Sequence, residues 1–161
     1  MMKPRQSRER VAKSPVSESN AKMYEEHALT ELRKAGYRIT MPRVQVIRAL
    51  ADTKVALSAY AIHEKIIVGN GKIDVVSVYR ILTTLQDVGL IYHIGIVDGY
   101  FPCYLEGSTS RSAVLVNEQS DQVYELKLPQ EVIDEISRQG AENGFEMSTI
   151  KVEIVGCPIK K

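Results

Sequence analysis

The apolar pattern of this 161-residue chain changes its period at Gly89, and that change limits the folds that the chain can adopt. Before Gly89, apolar residues recur every three or four positions, which is the spacing of amphipathic helices. After it, the stretch "LIYHIGIVDGYFPCYL" is rich in β-branched and aromatic residues on both sides of Asp98-Gly99, a pair typical of hairpin turns. The sequence therefore predicts a helical unit that ends in a two-stranded hairpin.

Four helices are predicted before this point from apolar spacing and capping residues. The first covers about 21–35, and the second starts after Thr40 and runs to about Ala51. The third is capped by Ser58, and the fourth lies within 74–91. Helices followed by a hairpin are the arrangement of a winged helix, in which the last helix enters the DNA major groove and the hairpin lies beside the backbone.

The fourth predicted helix, "DVVSVYRILTTLQDVGLI", has two different faces. At about 100° per residue, its apolar side chains form one stripe, made of Val78, Ile81, Leu82, Leu85 and Val88. The opposite face carries mostly uncharged hydrogen-bonding groups, with Tyr79 and Arg80 at its centre. Such groups suit base edges and phosphates, so we interpret this face as DNA-reading, with an ordinary solvated helix face as the alternative.

Seven residues are the candidate DNA contacts, namely Arg38, Arg43, Lys72, Ser77, Tyr79, Arg80 and Thr83. The two near the start of the second helix are expected to reach phosphates. The charge distribution gives mild support, because Lys and Arg outnumber Asp and Glu by five to two in residues 1–20 and by ten to eight in 21–105. In residues 106–161 they are outnumbered six to ten. A polyanion is therefore expected to meet the first two thirds of the chain.

Three segments with different roles are expected. Residues 1–20 are polar and aperiodic and are predicted to be a disordered basic arm. Residues 21–105 are the predicted winged-helix domain, and 106–161 are a small α/β dimerisation domain, so the fold class is α+β. The apolar strand positions of the last segment need burial, which a sheet continued across the two-fold axis of a homodimer would provide; they are Val114, Val116, Val123, Ile150, Val152 and Ile154.

The cellular location and the possibility of enzymatic activity are limited by motifs that the sequence lacks. The basic N-terminus has no apolar core of the kind a secretory signal carries, and no apolar run approaches the roughly 18 residues needed to span a bilayer. We therefore expect a cytoplasmic protein with no membrane partner. Cys103 and Cys157 are too few for a disulfide framework. No Ser/His/Asp set, Gly-rich phosphate loop or spaced carboxylate pair is present, so the chain is not expected to be an enzyme.

The chain resembles the ferric uptake regulator family over about residues 24–157. "LRKAGYRITMPRVQVIRAL" is similar to that family's entry into its winged helix, and "VSVYRILTTLQDVGLI" to its recognition helix with a Val-Tyr-Arg triplet. The Tyr-x-x-Cys sequence in "DGYFPCYLEG" looks most like the zinc uptake regulator branch, in which this cysteine is a ligand at the hinge. The resemblance implies a winged helix joined to a dimerisation domain, and metal-responsive binding to palindromic operators.

The metal-binding motifs of that family are degenerate in this chain. The run after the wing, "GSTSRSA", contains no histidine, and Asn117 and Ser120 stand where the family carries a Cys-x-x-Cys pair. Neutral amide and hydroxyl oxygens are poor zinc ligands beside thiolates, so a structural zinc is not expected. The resemblance leaves two alternatives, a reduced Zn²⁺ site at the hinge made of Cys103, His93 and Glu125, or no metal site.

Two functions remain open at this stage. The leading prediction is a transcriptional regulator, expected to be a repressor, that binds double-stranded DNA as a homodimer with reduced or absent metal dependence. The alternative is a winged helix that has lost metal sensing and uses the same surface for protein–protein contact. The two differ in how strongly binding depends on salt, since DNA binding releases counterions.

Overall fold

The computed structural model describes residues 18–104 and 111–160, which form an α+β fold as predicted. The elements in chain order are α1 (Glu18–Lys34), α2 (Met41–Ala51), α3 (Ala59–Val68), α4 (Val75–Asp87), β1 (Ile91–Ile94), β2 (Gly99–Pro102), β3 (Arg111–Asn117), β4 (Val123–Leu126), α5 (Gln130–Glu142) and β5 (Ile150–Gly156). Residues 1–17 of the predicted arm and 107–110 of the run after the wing lie outside the described residues. The predicted domain limits stay a prediction.

Capping residues set the starts of the helices where the sequence predicted them. The Thr40 hydroxyl accepts a hydrogen bond from the N–H of Arg43, and the Ser58 hydroxyl accepts one from Ala61. Helix α1 begins at Glu18, so it reaches into the segment predicted to be an arm. None of the helices in the described part of the chain is long and apolar enough to cross a bilayer.

The core of the N-terminal part forms where α1 to α4 meet, and it confirms the apolar stripe predicted on α4. Val78, Leu82 and Leu85 are fully buried, together with Leu32 of α1 and Leu50 of α2. Burying a side chain of this size contributes about 1.5–3 kcal/mol of stabilisation. The stripe therefore fixes α4 in the bundle and turns its polar face outward.

The hairpin β1–β2 differs in one detail from the prediction. The loop is the four-residue segment 95–98, and Gly99 is the first residue of β2 rather than part of the turn. Asp98 supplies the left-handed backbone, with a φ of 45°. Gly99 is required for close packing instead, because a Cβ there would lie 2.8 Å from the Cβ of Ala56 and 3.3 Å from the backbone nitrogen of Leu57.

The C-terminal part is a three-stranded sheet in the order β4-β3-β5 with α5 in the connection before β5. Strands β3 and β4 are antiparallel about the predicted turn, and β5 runs parallel to β3. This sheet packs on the hairpin through a second buried cluster, in which Tyr92 and Phe101 meet Val114 and Val116. The hairpin therefore lies between the helical bundle and the C-terminal sheet.

Candidate nucleic-acid interface and hinge

The outward face of α4 carries three of the candidate DNA contacts. Tyr79 is 46% exposed, and Arg80 and Thr83 are exposed as well. The hydroxyl of Thr83 donates a 3.1 Å hydrogen bond to the carbonyl of Tyr79, so its hydrogen is used within the helix. A phenol, a guanidinium and a hydroxyl on one solvent-facing surface are the groups that hydrogen-bond bases and phosphates.

The start of α4 is held by a carboxylate rather than by a free hydroxyl. Asp74 accepts hydrogen bonds of 2.8 Å from both the backbone N–H and the hydroxyl of Ser77. These bonds hold the pKa of Asp74 below its usual value. The Ser77 hydroxyl hydrogen is therefore used within the cap, so this side chain can meet DNA only as an acceptor. Lys72 is exposed in the loop that precedes the cap.

The two arginines near the start of α2, Arg38 and Arg43, differ in how far their side chains are held by neighbouring residues. Arg43 donates from Nη1 to the carbonyl oxygen of Arg38 at 2.6 Å, and its guanidinium carbon lies 5.3 Å from the centre of the Tyr37 ring. That combination of a hydrogen bond and a cation–π contact holds the Arg43 side chain against the loop. The side chain of Arg38 is exposed, so Arg38 is the more available of the two for a phosphate.

A chain of hydrogen bonds joins the hairpin to the C-terminal sheet at the predicted hinge. The Cys103 thiol donates to the hydroxyl oxygen of Tyr92 at 3.1 Å, and that hydroxyl donates to Oε1 of Glu125 on β4 at 2.7 Å. Both oxygens of the same carboxylate also accept the backbone N–H of Tyr104, at 3.0 and 3.1 Å. The Tyr104 hydroxyl donates in turn to the carbonyl of Ala51 in α2 at 2.8 Å. The sheet, the hairpin and the bundle thus meet at one point.

Burial and the neighbouring acids keep the tyrosines of this region neutral. The pKa of Tyr92 is raised far above its usual value by burial first, and then by Glu125 and Cys103. Burial also raises the pKa of Tyr104 and of Tyr24, whose hydroxyl donates to the carbonyl of Leu90 at 2.9 Å. Each of these phenols is therefore a permanent donor at neutral pH.

The three residues suggested as a hinge metal site are not brought together. Cys103 and Glu125 both contact the Tyr92 hydroxyl, whereas Nε2 of His93 lies 3.1 Å from Oδ1 of Asp98 and its ring packs on Tyr100. Among the described residues, no group of three His, Cys, Asp or Glu side chains is placed to hold a metal ion. The residues as arranged do not fit a three-ligand zinc site.

Tyr92 is the hinge residue that the sequence reasoning missed. Neighbouring residues of a strand point to opposite faces, so a shift of one position moves a side chain from one face to the other. Strand β1 buries Tyr92 in the cluster shared with the C-terminal sheet, whereas His93 is half-buried and its ring packs on Tyr100. Ile94, two positions after Tyr92, is buried in the same cluster, so this strand spacing is the signal that separates Tyr92 from His93.

The positions that replace the Cys-x-x-Cys pair have a local role in the β3–β4 turn. Oδ1 of Asn117 accepts the backbone N–H of Gln119 at 2.9 Å, and the Ser120 hydroxyl lies 3.4 Å from the N–H of Gln122. Side-chain oxygens that accept hydrogen bonds from the backbone two residues onward are common in turns. Both side chains therefore complete the turn from within the chain.

Comparison with known proteins gives one family and a set of structures of the same fold. The model of the "Ferric uptake regulator family" matches residues 34–155. A ferric uptake regulation protein from Pseudomonas fluorescens is 27% identical over 120 residues, which cover 73% of this chain and 95% of that relative. Two zinc uptake regulator structures are among the solved structures that share the fold.

The first is a zinc uptake regulator complexed with zinc and DNA, with a TM-score of 0.77, 22% identity and coverage of 86% of this chain and 92% of that one. The second is the holo form of XcZur, with a TM-score of 0.73, 20% identity and coverage of 84% and 94%. The family match spans α2 to α5, the hairpin and the C-terminal sheet, and it begins at the last residue of α1. The chain belongs to the ferric uptake regulator family, whose members are DNA-binding transcription regulators rather than enzymes.

Proposed function

We propose that this protein is a cytoplasmic transcriptional repressor that binds palindromic operators in double-stranded DNA as a homodimer, with reduced or absent metal dependence. The observation that carries the proposal is the geometry of α4, whose apolar stripe is buried while Tyr79, Arg80 and Thr83 face solvent. A helix held rigidly by its core side and polar on its free side is suited to enter a major groove.

The candidate contacts divide into two groups by chemistry. Arg80, Tyr79 and Thr83 lie along the free face of α4, where an arginine reads guanine edges and the shorter side chains hydrogen-bond bases or phosphates. Lys72 and Arg38 are exposed cations outside the helix and are assigned to phosphates. Arg43 and Ser77, already bonded within the chain, support these contacts by orienting the loop and the cap.

The edge of the C-terminal sheet supports a dimer through β5. The other edge strand, β4, is covered by the N-terminal part, because the N–H of Val123 donates to the carbonyl of Lys54 at 2.9 Å. Of the six apolar positions expected at the dimer axis, Val152 is half-buried and Ile154 is 41% exposed, whereas the other four are buried within the chain. A second copy paired along β5 would cover Ile154 and Val155.

The hinge geometry supports reduced or absent metal dependence. The family resemblance implies that Cys103 and Glu125 are metal ligands at the hinge. In this chain the Cys103 thiol and the Glu125 carboxylate are instead joined through the Tyr92 hydroxyl by hydrogen bonds. Hydrogen bonds to a charged acceptor are each worth about 1.5–3 kcal/mol. The bonds from Tyr92 and Tyr104 to Glu125 therefore hold the hairpin on the C-terminal sheet without a bound ion.

The experiment is a selection of duplexes from a random-sequence pool by the full-length protein in buffer with a chelator. We expect enrichment of a palindromic sequence, and binding that weakens steeply as salt increases because phosphate contacts release counterions. A pool that stays random after repeated rounds would overturn the proposal. Salt-insensitive association with proteins and none with DNA would favour the protein-contact alternative.

A further inference from the structure

A carboxylate of the C-terminal sheet binds the tip of the hairpin. Glu153 on β5 accepts the backbone N–H of Gly95 at 2.7 Å through Oε1 and that of Ile96 at 3.1 Å through Oε2. Two residues earlier on the same face of β5, Nζ of Lys151 donates to the carbonyl oxygen of His93 at 3.1 Å. Three hydrogen bonds therefore connect β5 to the loop end of the hairpin.

These bonds fix an orientation more than they add stability. All three are exposed to solvent, and the same backbone groups can bond to water when the side chains are removed. Two adjacent N–H groups that converge on the two oxygens of one carboxylate define both the position and the rotation of the loop. Glu153 therefore links the hairpin loop to β5, the strand proposed to lie at the dimer axis.

The Glu153 link lies at the opposite end of the hairpin from the hydrogen bonds of Tyr92, Cys103 and Glu125. Tyr92 and the chain just after β2 are bonded to Glu125 on β4, whereas the loop after β1 is bonded to Glu153 on β5. A hairpin held at one end can pivot, but one held at both ends has a single orientation on the sheet. The hairpin is joined directly to α4, so its orientation also sets the direction of the reading face.

We propose that Glu153, assisted by Lys151, is a positioning residue for DNA recognition that sets the distance between the two α4 helices of the dimer. The proposal rests on the proposed function, since it concerns how the same interface is presented to two half-sites. Half-site spacing in a palindromic operator is a geometric consequence of protein symmetry. Releasing the hairpin from β5 should therefore relax the spacing requirement while leaving each half-site contact intact.

The test compares the full-length parent with Glu153→Ala, Glu153→Gln and Lys151→Met, with Glu146→Ala as the control for loss of an exposed carboxylate. The first readout is amide exchange at Gly95 and Ile96, measured by NMR without DNA. We expect exchange to accelerate by about tenfold or more in Glu153→Ala, and by less in Glu153→Gln, which keeps one acceptor oxygen. The control should match the parent.

The second readout is affinity for the duplex that the parent selects, for the same duplex with one or two base pairs inserted between half-sites, and for a single half-site. Glu153→Ala should lose about tenfold in preference for the native spacing, with half-site affinity unchanged. If it fails to fold, Lys151→Met should show the same loss in smaller degree. Unchanged exchange or unchanged spacing preference would overturn this inference alone. A parent that selects no duplex would overturn the proposed function and this inference with it.

Discussion

The hydroxyl of Tyr92 on β1 donates to the carboxylate of Glu125 on β4 across 2.7 Å, and this bond crosses from the hairpin to the C-terminal sheet. The same oxygen accepts the thiol of Cys103, so the phenol stands between a sulfur and a carboxylate that the family resemblance assigned to a metal. The hinge of this chain is therefore closed by a continuous chain of hydrogen bonds. Variants that remove a single atom can measure how much each bond contributes to the free energy of unfolding.

Tyr92→Phe removes one oxygen and leaves the ring in its buried place. We expect the free energy of unfolding to fall by about 1–3 kcal/mol, because the Cys103 and Glu125 groups lose a buried partner. Urea denaturation at neutral pH measures the change. Tyr60→Phe, which removes the same atom from an exposed ring on α3, should unfold like the parent. Equal midpoints for parent and Tyr92→Phe would mean that the hydroxyl contributes nothing to the hinge.

Alkaline pH should unfold the protein through its buried phenols. Tyr24 and Tyr92 have folded-state pKa values raised above the ordinary value of 10.0. Below pH 10 both are neutral whether the chain is folded or not, so their contribution is fully present there. As pH rises further, only the unfolded chain ionises, and stability should fall by about 1.4 kcal/mol per pH unit for each such tyrosine.

The check is urea denaturation at steps from pH 9 to pH 11 on the parent and on Tyr24→Phe, compared by slope rather than by absolute stability. Removing one of the phenols should make the decline shallower. A parent whose stability stays level across this range would contradict the burial of these side chains.

The sequence predicted the elements and the reading helix well because both follow from local chemistry. Thr40 and Ser58 cap the helices whose starts they predicted, and the apolar stripe through Leu82 and Leu85 is buried. The change of period at Gly89 indicated helices followed by a hairpin, since periodicity depends on which faces are buried. The assignment of DNA contacts stays a prediction.

The hinge could not be predicted in the same way because it depends on contacts between distant segments. Tyr92 meets Glu125 from 33 positions away, and Glu153 meets Gly95 from 58 positions away. The family resemblance indicated His93 as the hinge residue, one position after Tyr92. Adjacent residues of a strand lie on opposite faces, so this shift of one position selects the wrong face. The hairpin loop was misplaced for a related reason, since the glycine at position 99 is required by close packing against Ala56 and not by the turn.

Arg80→Ala should weaken binding to the selected duplex by about 1–3 kcal/mol if its guanidinium reads a base edge. The fold should be unaffected, since this side chain is exposed on the face opposite the core stripe. Fluorescence anisotropy with selected and scrambled duplexes measures the loss. Arg138→Ala on α5, an exposed arginine in the C-terminal part, serves as the charge-matched control. If Arg80→Ala binds the selected duplex like the parent, α4 is not the reading helix.

The dimer should depend on the apolar edge of β5 and persist in chelator. Ile154→Lys places an ammonium group where a second copy is expected to pack, so we expect a monomer by light scattering at micromolar concentration. Ile159→Lys makes the same change beyond the strand at a position that is 92% exposed, and this variant should remain a dimer. A monomeric parent, or a dimeric Ile154→Lys, would show that the pairing lies elsewhere.

The most direct test of a hinge closed by hydrogen bonds is a zinc titration of affinity for the selected duplex, from excess chelator to excess Zn²⁺, on the parent and on Cys103→Ser. Because Tyr92 and Tyr104 already hold Glu125, we predict that the parent's affinity changes by less than about threefold, under 1 kcal/mol. Cys103→Ser should respond equally little. A tightening of about tenfold or more, ~1.4 kcal/mol, that Cys103→Ser abolishes would contradict this account and restore a zinc site at the hinge.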